Sequence, residues 1–209
     1  MRKSVFKVRS ALPVPALLNY HWHNMPGAFP RLSPPWQDLK VLLSPDTIAD
    51  GTQAAFELRL GPLKQQWVAE HFDVKEGRGF SDRQLVGPFA EWTHHHRFLR
   101  ETESRSWMED EVHYRVPGGF PGRLLAGGYV RRQLENLFWY RHEVIRGDAT
   151  RFWKRRTSRE GVILVTGHRG MIGSALSAHL RTLGYSVRGL TRSPSGEDEF
   201  GWDPMKGTL

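Results

Sequence analysis

The feature that most constrains the fold is a short apolar run followed at once by a glycine-rich turn. Residues 162–165 read Val-Ile-Leu-Val, which is the composition of a buried parallel strand. Three glycines follow at intervals of three residues: Gly167, Gly170 and Gly173. Apolar residues then recur four apart, as on one face of a helix: Ile172, Leu176 and Leu180. This order of strand, glycine turn and helix predicts the opening of a parallel α/β unit.

Such a turn suits the pyrophosphate of a dinucleotide. Glycines let the backbone come close to the phosphates, and the helix N-terminus offers free N–H groups and a partial positive charge. The expected cofactor-binding residues are Thr166, Gly167, His168, Arg169, Gly170, Met171, Ile172 and Gly173, together with Arg192.

The residues after the next predicted strand, 186–190, bear on the choice of cofactor. In a dinucleotide site an acidic residue at this point binds the ribose 2′-hydroxyl of NAD. Here the residues are Thr191, Arg192 and Ser193, and none of them is acidic. An arginine suits a 2′-phosphate, so we expect NADP rather than NAD, with Arg192 as its contact. The alternative, that Arg192 is a solvated surface residue, stays open.

A complete dinucleotide-binding sheet has about six strands with helices on both faces. Residues 161–209 offer only a few strands and one helix. We therefore expect this region to be a truncated Rossmann fragment, the opening of a larger domain.

The middle of the chain has a different pattern. Between residues 39 and 116, alternating segments are separated by turn signals about every ten residues: Asp50-Gly51, Gly61-Pro62, Glu76-Gly77 and Gly87-Pro88. This spacing predicts an antiparallel meander of six strands. A strand at 4–10 and two short helices, at 17–22 and 28–32, are expected before it.

From residue 123 to 145 the period becomes helical. One stripe carries residues three and four apart: Val130, Leu134, Leu137, Phe138, Arg141, Val144 and Ile145. Gly147-Asp148 is expected to end this helix. Its apolar face needs a sheet to lie on, so we predict an α+β fold: a curved antiparallel sheet around a long C-terminal helix, followed by a partial α/β Rossmann βαβ unit. We expect three regions in the chain: the antiparallel-sheet domain at 1–150, a basic linker at 151–160 and the truncated Rossmann fragment at 161–209.

The amino-acid composition limits which classes of function this chain can have. The chain has no cysteine, which excludes disulfides and thiolate ligands and suits the cytoplasm. It has no signal-like segment and no apolar run near the ~18 residues of a membrane span. The net charge is +8, but much of the excess lies in one cluster: Arg151, Lys154, Arg155, Arg156 and Arg159. We interpret that cluster as a solvated linker, which makes a nucleic-acid partner unlikely; an anionic surface is the alternative.

Side chains two apart on a strand share a face. Trp92, His94, His96 and Phe98 therefore point one way, and Trp67, Ala69, His71 and Asp73 form a similar set on another strand. Polar groups that converge inside an apolar cavity are typical of a ligand site. The expected pocket residues are His71, Asp82, Trp92, His94, His96, Asp110 and Tyr114.

Three interpretations of this polar face stay open. The histidines and aspartates could satisfy each other by hydrogen bonds inside the sheet. They could orient a small apolar or aromatic ligand under the long helix. They could also bind a metal, because His94 and His96 have a spacing that can chelate zinc; no third ligand can be named from the sequence, so no metal is predicted.

The order of elements resembles the helix-grip fold of the START-like, or SRPBCC, superfamily. Short strings make the resemblance more specific: Trp22-His23, Pro26-Gly27-Ala28-Phe29, Arg31-Leu32, Pro34-Pro35-Trp36, Gly87-Pro88-Phe89 and Tyr140-Arg141-His142. They are similar to two-part bacterial proteins in which a START-like domain precedes an atypical short-chain dehydrogenase/reductase described as a sugar-nucleotide epimerase. Residues 165–173, 190–192 and 201–204 look like the opening of that reductase.

The resemblance implies a nicotinamide-dependent epimerase or reductase that uses a Y-x-x-x-K pair to exchange a proton. None of the five tyrosines here has lysine four residues on: Tyr20, Tyr114, Tyr129, Tyr140 and Tyr185. We therefore expect no catalytic residues in this chain. The alternative is a non-catalytic module that binds a small hydrophobic ligand and carries a vestigial nucleotide-binding tail.

Overall fold

The computed structural model describes residues 3–60, 63–154 and 161–207. In chain order the elements are β1 (Ser4–Leu12), α1 (Ala16–His23), α2 (Ala28–Arg31), β2 (Leu39–Leu43), β3 (Gln53–Leu60), β4 (Leu63–Lys75), β5 (Gly79–Val86), β6 (Glu91–Arg100), β7 (Ser106–Arg115), α3 (Gly119–Lys154), β8 (Val162–Thr166), α4 (Met171–Thr182), β9 (Ser186–Thr191) and β10 (Glu199–Gly201).

Strands β1 to β7 form one antiparallel sheet in the order β1-β7-β6-β5-β4-β3-β2. Strands β2 to β7 follow each other as a meander, which confirms the six-strand prediction. β1 returns to pair with β7, so that Ser4 lies opposite Tyr114 and Leu12 opposite Ser106. The alternation of side chains along these strands leaves one face of the sheet apolar, and that face needs a covering element.

Helix α3 covers the concave face of the sheet. Leu134, Phe138 and Ile145 of the predicted stripe are buried. They pack into two apolar clusters, one around Phe138, Trp67 and Trp92 and the other around Ile145, Trp22 and Met108. The fold class is confirmed: a helix-grip α+β domain comes first, and a small parallel sheet follows it.

The prediction that Gly147-Asp148 ends this helix is wrong, since α3 runs on to Lys154. Asp148 and Ala149 are 1% and 0% exposed, so the buried stripe continues past Ile145 for another turn. A glycine within a helix costs roughly 1 kcal/mol relative to alanine, which packing of this extent outweighs. Arg151 and Lys154 of the expected linker are therefore helical, and residues 155–160 lie outside the described residues.

Asp148 is an anionic centre at the junction of three helices. Its carboxylate accepts hydrogen bonds from Arg31 of α2 at 2.9 and 3.2 Å. From α4, His179 Nδ1 lies 3.2 Å away and the Thr182 hydroxyl 3.5 Å away. A charge this deeply buried needs such partners, because an unpaired one costs several kcal/mol.

The contact between α2 and α4 is close because Gly27 precedes α2. Its φ is +90°, and a Cβ built there would lie 2.6 Å from the carbonyl oxygen of Ala178. A side chain at Gly27 would therefore push α4 away from the helix-grip domain. This gives a physical reason for the glycine in the string Pro26-Gly27-Ala28-Phe29.

Strands β8, β9 and β10 form a parallel sheet in the order β10-β9-β8, with α4 connecting β8 to β9. Several apolar side chains of this unit are exposed: Val162, Leu164, Met171, Ile172, Leu176 and Phe200. The strand order agrees with the partial Rossmann unit predicted from the glycine turn. Among the described residues, no helix has both the length and the apolarity that crossing a membrane requires.

Replacing Arg31 by methionine tests the Asp148 centre. The change removes both hydrogen bonds from Arg31 and leaves a carboxylate that is 1% exposed. We expect the free energy of unfolding to fall by about 3 kcal/mol, because a buried charge loses its main partner. Urea unfolding followed by circular dichroism measures this loss.

Arg131→Met is the matched control, since Arg131 and Glu135 form an exposed pair on α3. That change should alter the free energy of unfolding by less than about 0.5 kcal/mol. Equal, small losses in the two variants would contradict a structural role for Asp148.

Candidate functional site

Five polar side chains form a layer inside the helix-grip domain: Asp82 of β5, His94 and His96 of β6, Asp110 of β7 and His142 of α3. We call this set the polar layer. Strand pairing brings it together, because His94 lies opposite Asp82 and His96 opposite Asp110. Along β6 the layer sits between Trp92 and Phe98, which belong to the two apolar clusters.

The members of the polar layer contact each other. His94 Nε2 donates to Asp110 Oδ1 at 2.9 Å, and His142 Nε2 donates to Asp110 Oδ2 at 2.6 Å. On its other side His94 Nδ1 lies 3.1 Å from Asp82 Oδ2. Hydrogen bonds thus join His94, Asp110 and His142, as the first of the three interpretations expects, whereas Asp82 and His96 make close charged contacts.

Packing fixes the rings of this layer. His96 stacks on Phe80 with ring centroids 4.2 Å apart, and His94 meets Phe138 edge-on at 5.1 Å. His142 Nδ1 is hydrogen-bonded to Ser10 Oγ at 2.8 Å, which ties α3 to β1. Each ring is therefore held from two sides.

The charges in the layer are strongly paired. Burial opposes ionisation of Asp82, but the charge of His94 and its hydrogen bond outweigh that effect and hold the pKa of Asp82 well below its usual range. Burial likewise opposes protonation of His94, yet Asp82 and Asp110 raise its pKa to about 9. Burial and the charge of His96 lower the pKa of the neighbouring His23 to about 3.

Three predicted pocket residues lie outside the polar layer. His71 Nδ1 is 3.0 Å from the Thr52 hydroxyl, so this ring is tied to the turn before β3. Trp92 and Tyr114 belong to the aromatic cluster around Phe138. Asp73, expected on the same face as His71, is exposed, because a bulge between Phe72 and Lys75 and a φ of 52° redirect the strand.

A surface groove borders the aromatic cluster at the turn between β5 and β6. Phe89 and Trp92 form its floor, and its accessible lining is more polar than apolar, with Lys3, Arg83 and Glu91 among the lining residues. Gln84 holds the turn: its amide donates to the Phe89 carbonyl at 2.8 Å and its oxygen accepts from the Phe89 N–H at 3.3 Å. Phe89 connects this groove to the aromatic cluster, since its ring contacts Trp92 and Tyr114.

The glycine turn has the close approach that a phosphate site needs. A Cβ built on Gly173 would lie 2.1 Å from the carbonyl oxygen of Gly167, so only glycine fits. Helix α4 begins after Gly170 without a side-chain cap. Its first N–H groups are therefore available to an anion, which fits the pyrophosphate of a dinucleotide.

Two of the predicted cofactor-binding side chains have a partner that sequence reasoning missed. Glu199, at the start of β10, accepts from Arg169 Nε at 2.9 Å, and His168 Nε2 lies 2.7 Å from it. The hydrogen bonds from Arg169, the Ser195 N–H and His168 lower the pKa of Glu199 to about 2. Arg169 also donates to Ser195 Oγ at 2.8 Å.

The remaining predicted contacts are exposed. Thr166 ends β8, and Met171 and Ile172 are 85% and 78% exposed at the start of α4. Arg192 is exposed directly after β9. A second groove runs beside this helix start, with Arg31 and Arg151 of the helix-grip domain on one side and Met171 and Leu176 on the other.

Sequence reasoning also missed His142, Ser10 and Asp148. His142 stood in one of the strings that carried the resemblance, but its spacing on α3 gives no sign that it reaches Asp110. Glu199 comes eight residues after Thr191, too late for the usual position of a ribose-binding acid. In each case only the packing of separate elements reveals the contact.

Comparison with solved structures supports both parts of the chain. A nucleoside-diphosphate sugar epimerase from Corynebacterium glutamicum matches with a TM-score of 0.73 and 27% identity. The match covers 95% of this chain and 41% of that one. The chain thus spans less than half the length of that epimerase.

Two further structures match the helix-grip domain. A START superfamily protein from Mycobacterium smegmatis has a TM-score of 0.51 and 10% identity, over 70% of this chain and 97% of that one. Norcoclaurine synthase from Thalictrum flavum, solved in complex with dopamine and hydroxybenzaldehyde, has a TM-score of 0.55 and 9% identity, over 75% and 90%. At this identity they show the shared fold. A search among curated protein sequences found no match.

Two family models match the sequence. The NAD dependent epimerase/dehydratase family matches residues 163–202, which contain the glycine turn, α4 and β9. The polyketide cyclase / dehydrase and lipid transport family matches residues 12–138, from the end of β1 into α3. Because the second match covers more than half of the chain, this protein belongs to the polyketide cyclase / dehydrase and lipid transport family, with a short epimerase-family segment after that domain.

Proposed function

We propose that the helix-grip domain binds a small apolar or aromatic molecule at its aromatic end. The supporting observation is the groove whose floor is Phe89 and Trp92. Phe89 contacts Trp92, Trp67 and Tyr114, with ring centroids 4.9 to 5.8 Å apart. The aromatic rings at this groove offer faces on which a flat ligand can stack.

The lining favours a flat aromatic ligand that carries a polar substituent. Aromatic faces stack on aromatic ligands, and Lys3, Arg83 and Glu91 can contact a polar substituent at the mouth. Norcoclaurine synthase, which shares the fold, holds two small aromatic molecules, dopamine and hydroxybenzaldehyde. That observation supports the class of ligand proposed here.

We further propose that residues 163–202 supply the pyrophosphate-binding part of an NADP site. The Gly167 and Gly173 backbones and the free N–H groups of α4 would hold the phosphates, and Arg192 would contact the 2′-phosphate. The bound cofactor would supply hydride chemistry to an epimerase or reductase. In this chain no tyrosine is followed by lysine four residues on, so the proposal made for these residues is limited to ligand and nucleotide binding.

Glu199 bears on the choice of nucleotide. It holds Arg169 and His168 through charge-assisted hydrogen bonds. A phosphate group near the ribose would compete with the Glu199 carboxylate for the same guanidinium. We propose that Glu199 lowers the affinity for a 2′-phosphate and that Arg192 raises it.

Replacing Phe89 by alanine tests the aromatic site. The fluorescent probe anilinonaphthalene sulfonate should bind the full chain saturably, and Phe89→Ala should weaken that binding about tenfold, because a ring contact of roughly 1.4 kcal/mol is lost. Fluorescence titration measures the dissociation constants, and circular dichroism checks the fold.

The matched control for the aromatic site is Trp139→Ala. Trp139 is 65% exposed on α3 and lies outside the groove, so its removal should leave the affinity for the probe unchanged. Equal affinities of the parent chain and Phe89→Ala would contradict the groove as the binding site.

Two substitutions test the nucleotide site by calorimetric titration with NADP⁺ and NAD⁺. Glu199→Gln should tighten NADP⁺ binding severalfold, because Arg169 is released from a carboxylate. Arg192→Ala should weaken NADP⁺ binding about tenfold, the loss of one charge-assisted contact, and leave NAD⁺ binding unchanged.

Arg100→Ala, at the far end of β6, serves as the control for loss of positive charge and should affect neither nucleotide. If Arg192→Ala weakens both nucleotides equally, the choice of NADP is wrong. If the parent chain binds neither nucleotide, the nucleotide half of the proposal fails while the aromatic site is unaffected.

A further inference from the structure

The polar layer contains more acceptors than its imidazole protons can serve. Both ring nitrogens of His94 face a carboxylate, Nδ1 at 3.1 Å from Asp82 and Nε2 at 2.9 Å from Asp110. The same holds for His96, with Nε2 at 3.5 Å from Asp82 and Nδ1 at 2.8 Å from Asp110. A neutral imidazole carries one N–H, so its second nitrogen would turn a lone pair toward a carboxylate.

One divalent cation placed between Asp82 and the two rings removes this conflict. It accepts the lone pairs of His94 Nδ1 and His96 Nε2, whose ring centroids lie 3.8 Å apart. Its positive charge also faces the Asp82 carboxylate, which lies 3.1 and 3.5 Å from these two nitrogens.

We propose that Asp82, His94 and His96 bind one divalent transition-metal ion. The ligand atoms are His94 Nδ1, His96 Nε2 and a carboxylate oxygen of Asp82. Suitable atoms of these three residues all lie within 4.8 Å of one another. Asp82 is the third ligand that the His-x-His spacing of β6 lacked. This site is independent of the proposed function.

The spacing of the ligand atoms fits a metal centre. With bonds of about 2.0–2.1 Å to a tetrahedral ion, neighbouring ligands lie about 3.3 Å apart. The two distances from Asp82 Oδ2, 3.1 Å to His94 and 3.5 Å to His96, bracket that value. The strands therefore hold the Asp82 carboxylate at a suitable distance from both imidazole nitrogens.

Asp110 lies behind both histidines and orients His94 by a hydrogen bond. It accepts the Nε2–H of His94, and it is itself fixed by His142. His96 Nδ1 is buried and lies close to Asp110 without the alignment of a hydrogen bond. With an ion at Nε2, the one proton of the His96 ring lies on Nδ1, which faces Asp110 at 2.8 Å. Carboxylates behind metal-binding histidines commonly fix the ring and its tautomer in this way.

The site is close to solvent. The Asp82 and His96 side chains are 15% and 11% exposed, whereas His94 and Asp110 are 3% and 4% exposed. An ion on the Asp82 side is thus nearer to solvent than one on the Asp110 side would be. Two imidazoles and one carboxylate are a donor set suited to Zn²⁺ or Fe²⁺.

The test uses the full chain after treatment with a chelator. Calorimetric titration with Zn²⁺ should show one ion per chain with a micromolar or lower dissociation constant. Asp82→Asn and His96→Gln should each weaken this binding at least a hundredfold. Asp110→Asn should weaken it ten- to hundredfold, as expected of a residue that positions the ligands.

The matched controls are Asp73→Asn and His21→Gln, which alter an exposed aspartate and an exposed histidine outside the polar layer. They should leave the zinc affinity unchanged. X-ray absorption of the zinc-loaded parent chain checks the ligands without any substitution, and should show two imidazoles.

The proposal is overturned if the parent chain binds no zinc stoichiometrically. It is also overturned if folded Asp82→Asn and His96→Gln bind zinc as tightly as the controls do. An X-ray absorption spectrum of the zinc-loaded parent chain that lacks two imidazole ligands would also overturn the proposal.

Discussion

The helix-grip domain depends on a charged layer buried between two apolar clusters. Asp110 accepts hydrogen bonds from β6 and from α3, so its carboxylate connects the sheet to the helix that covers it. An unpaired carboxylate at 3% exposure would cost several kcal/mol. The pairing fixes the height of α3 along the sheet, because a shift of one turn would separate His142 from Asp110.

A similar argument applies where the two parts of the chain meet. Asp148 lies six residues, or about 1.7 turns, beyond His142 on the same helix and pairs with Arg31 and His179. Helix α3 thus makes buried polar contacts at two positions along its length. His142 makes them inside the helix-grip domain, and Asp148 makes them against α4. The close approach at Gly27 keeps α2 and α4 near enough for Asp148 to contact both.

Much of the fold could be predicted from local patterns. The turn signals predicted the meander, and the spacing of Leu134 and Phe138 predicted the covering helix. The three glycines predicted the parallel unit. The end of α3 was missed because Gly147-Asp148 is a stop signal locally, whereas Asp148 is stabilised by Arg31, more than a hundred residues away in sequence. Local helix propensity cannot predict a contact between residues so far apart in the sequence.

The candidate site was likewise predicted only in part. Alternation placed His94 and His96 on the inner face, and the sequence offered Asp82 and Asp110 as neighbours. Which carboxylate meets which ring depends on strand register, which the turns alone did not define. His142 and Glu199 were missed because each reaches its partners from a separate element, and no spacing rule connects α3 to β7 or β10 to the glycine turn.

The most direct measurement is a double-mutant cycle on Asp110 and His142 in a chelating buffer. The free energies of unfolding of the parent chain, Asp110→Asn, His142→Gln and the double variant give the coupling between the two side chains. If their contact joins the sheet to α3, the coupling should be about 1 kcal/mol or more. Losses that simply add, with a coupling near zero, would contradict that role.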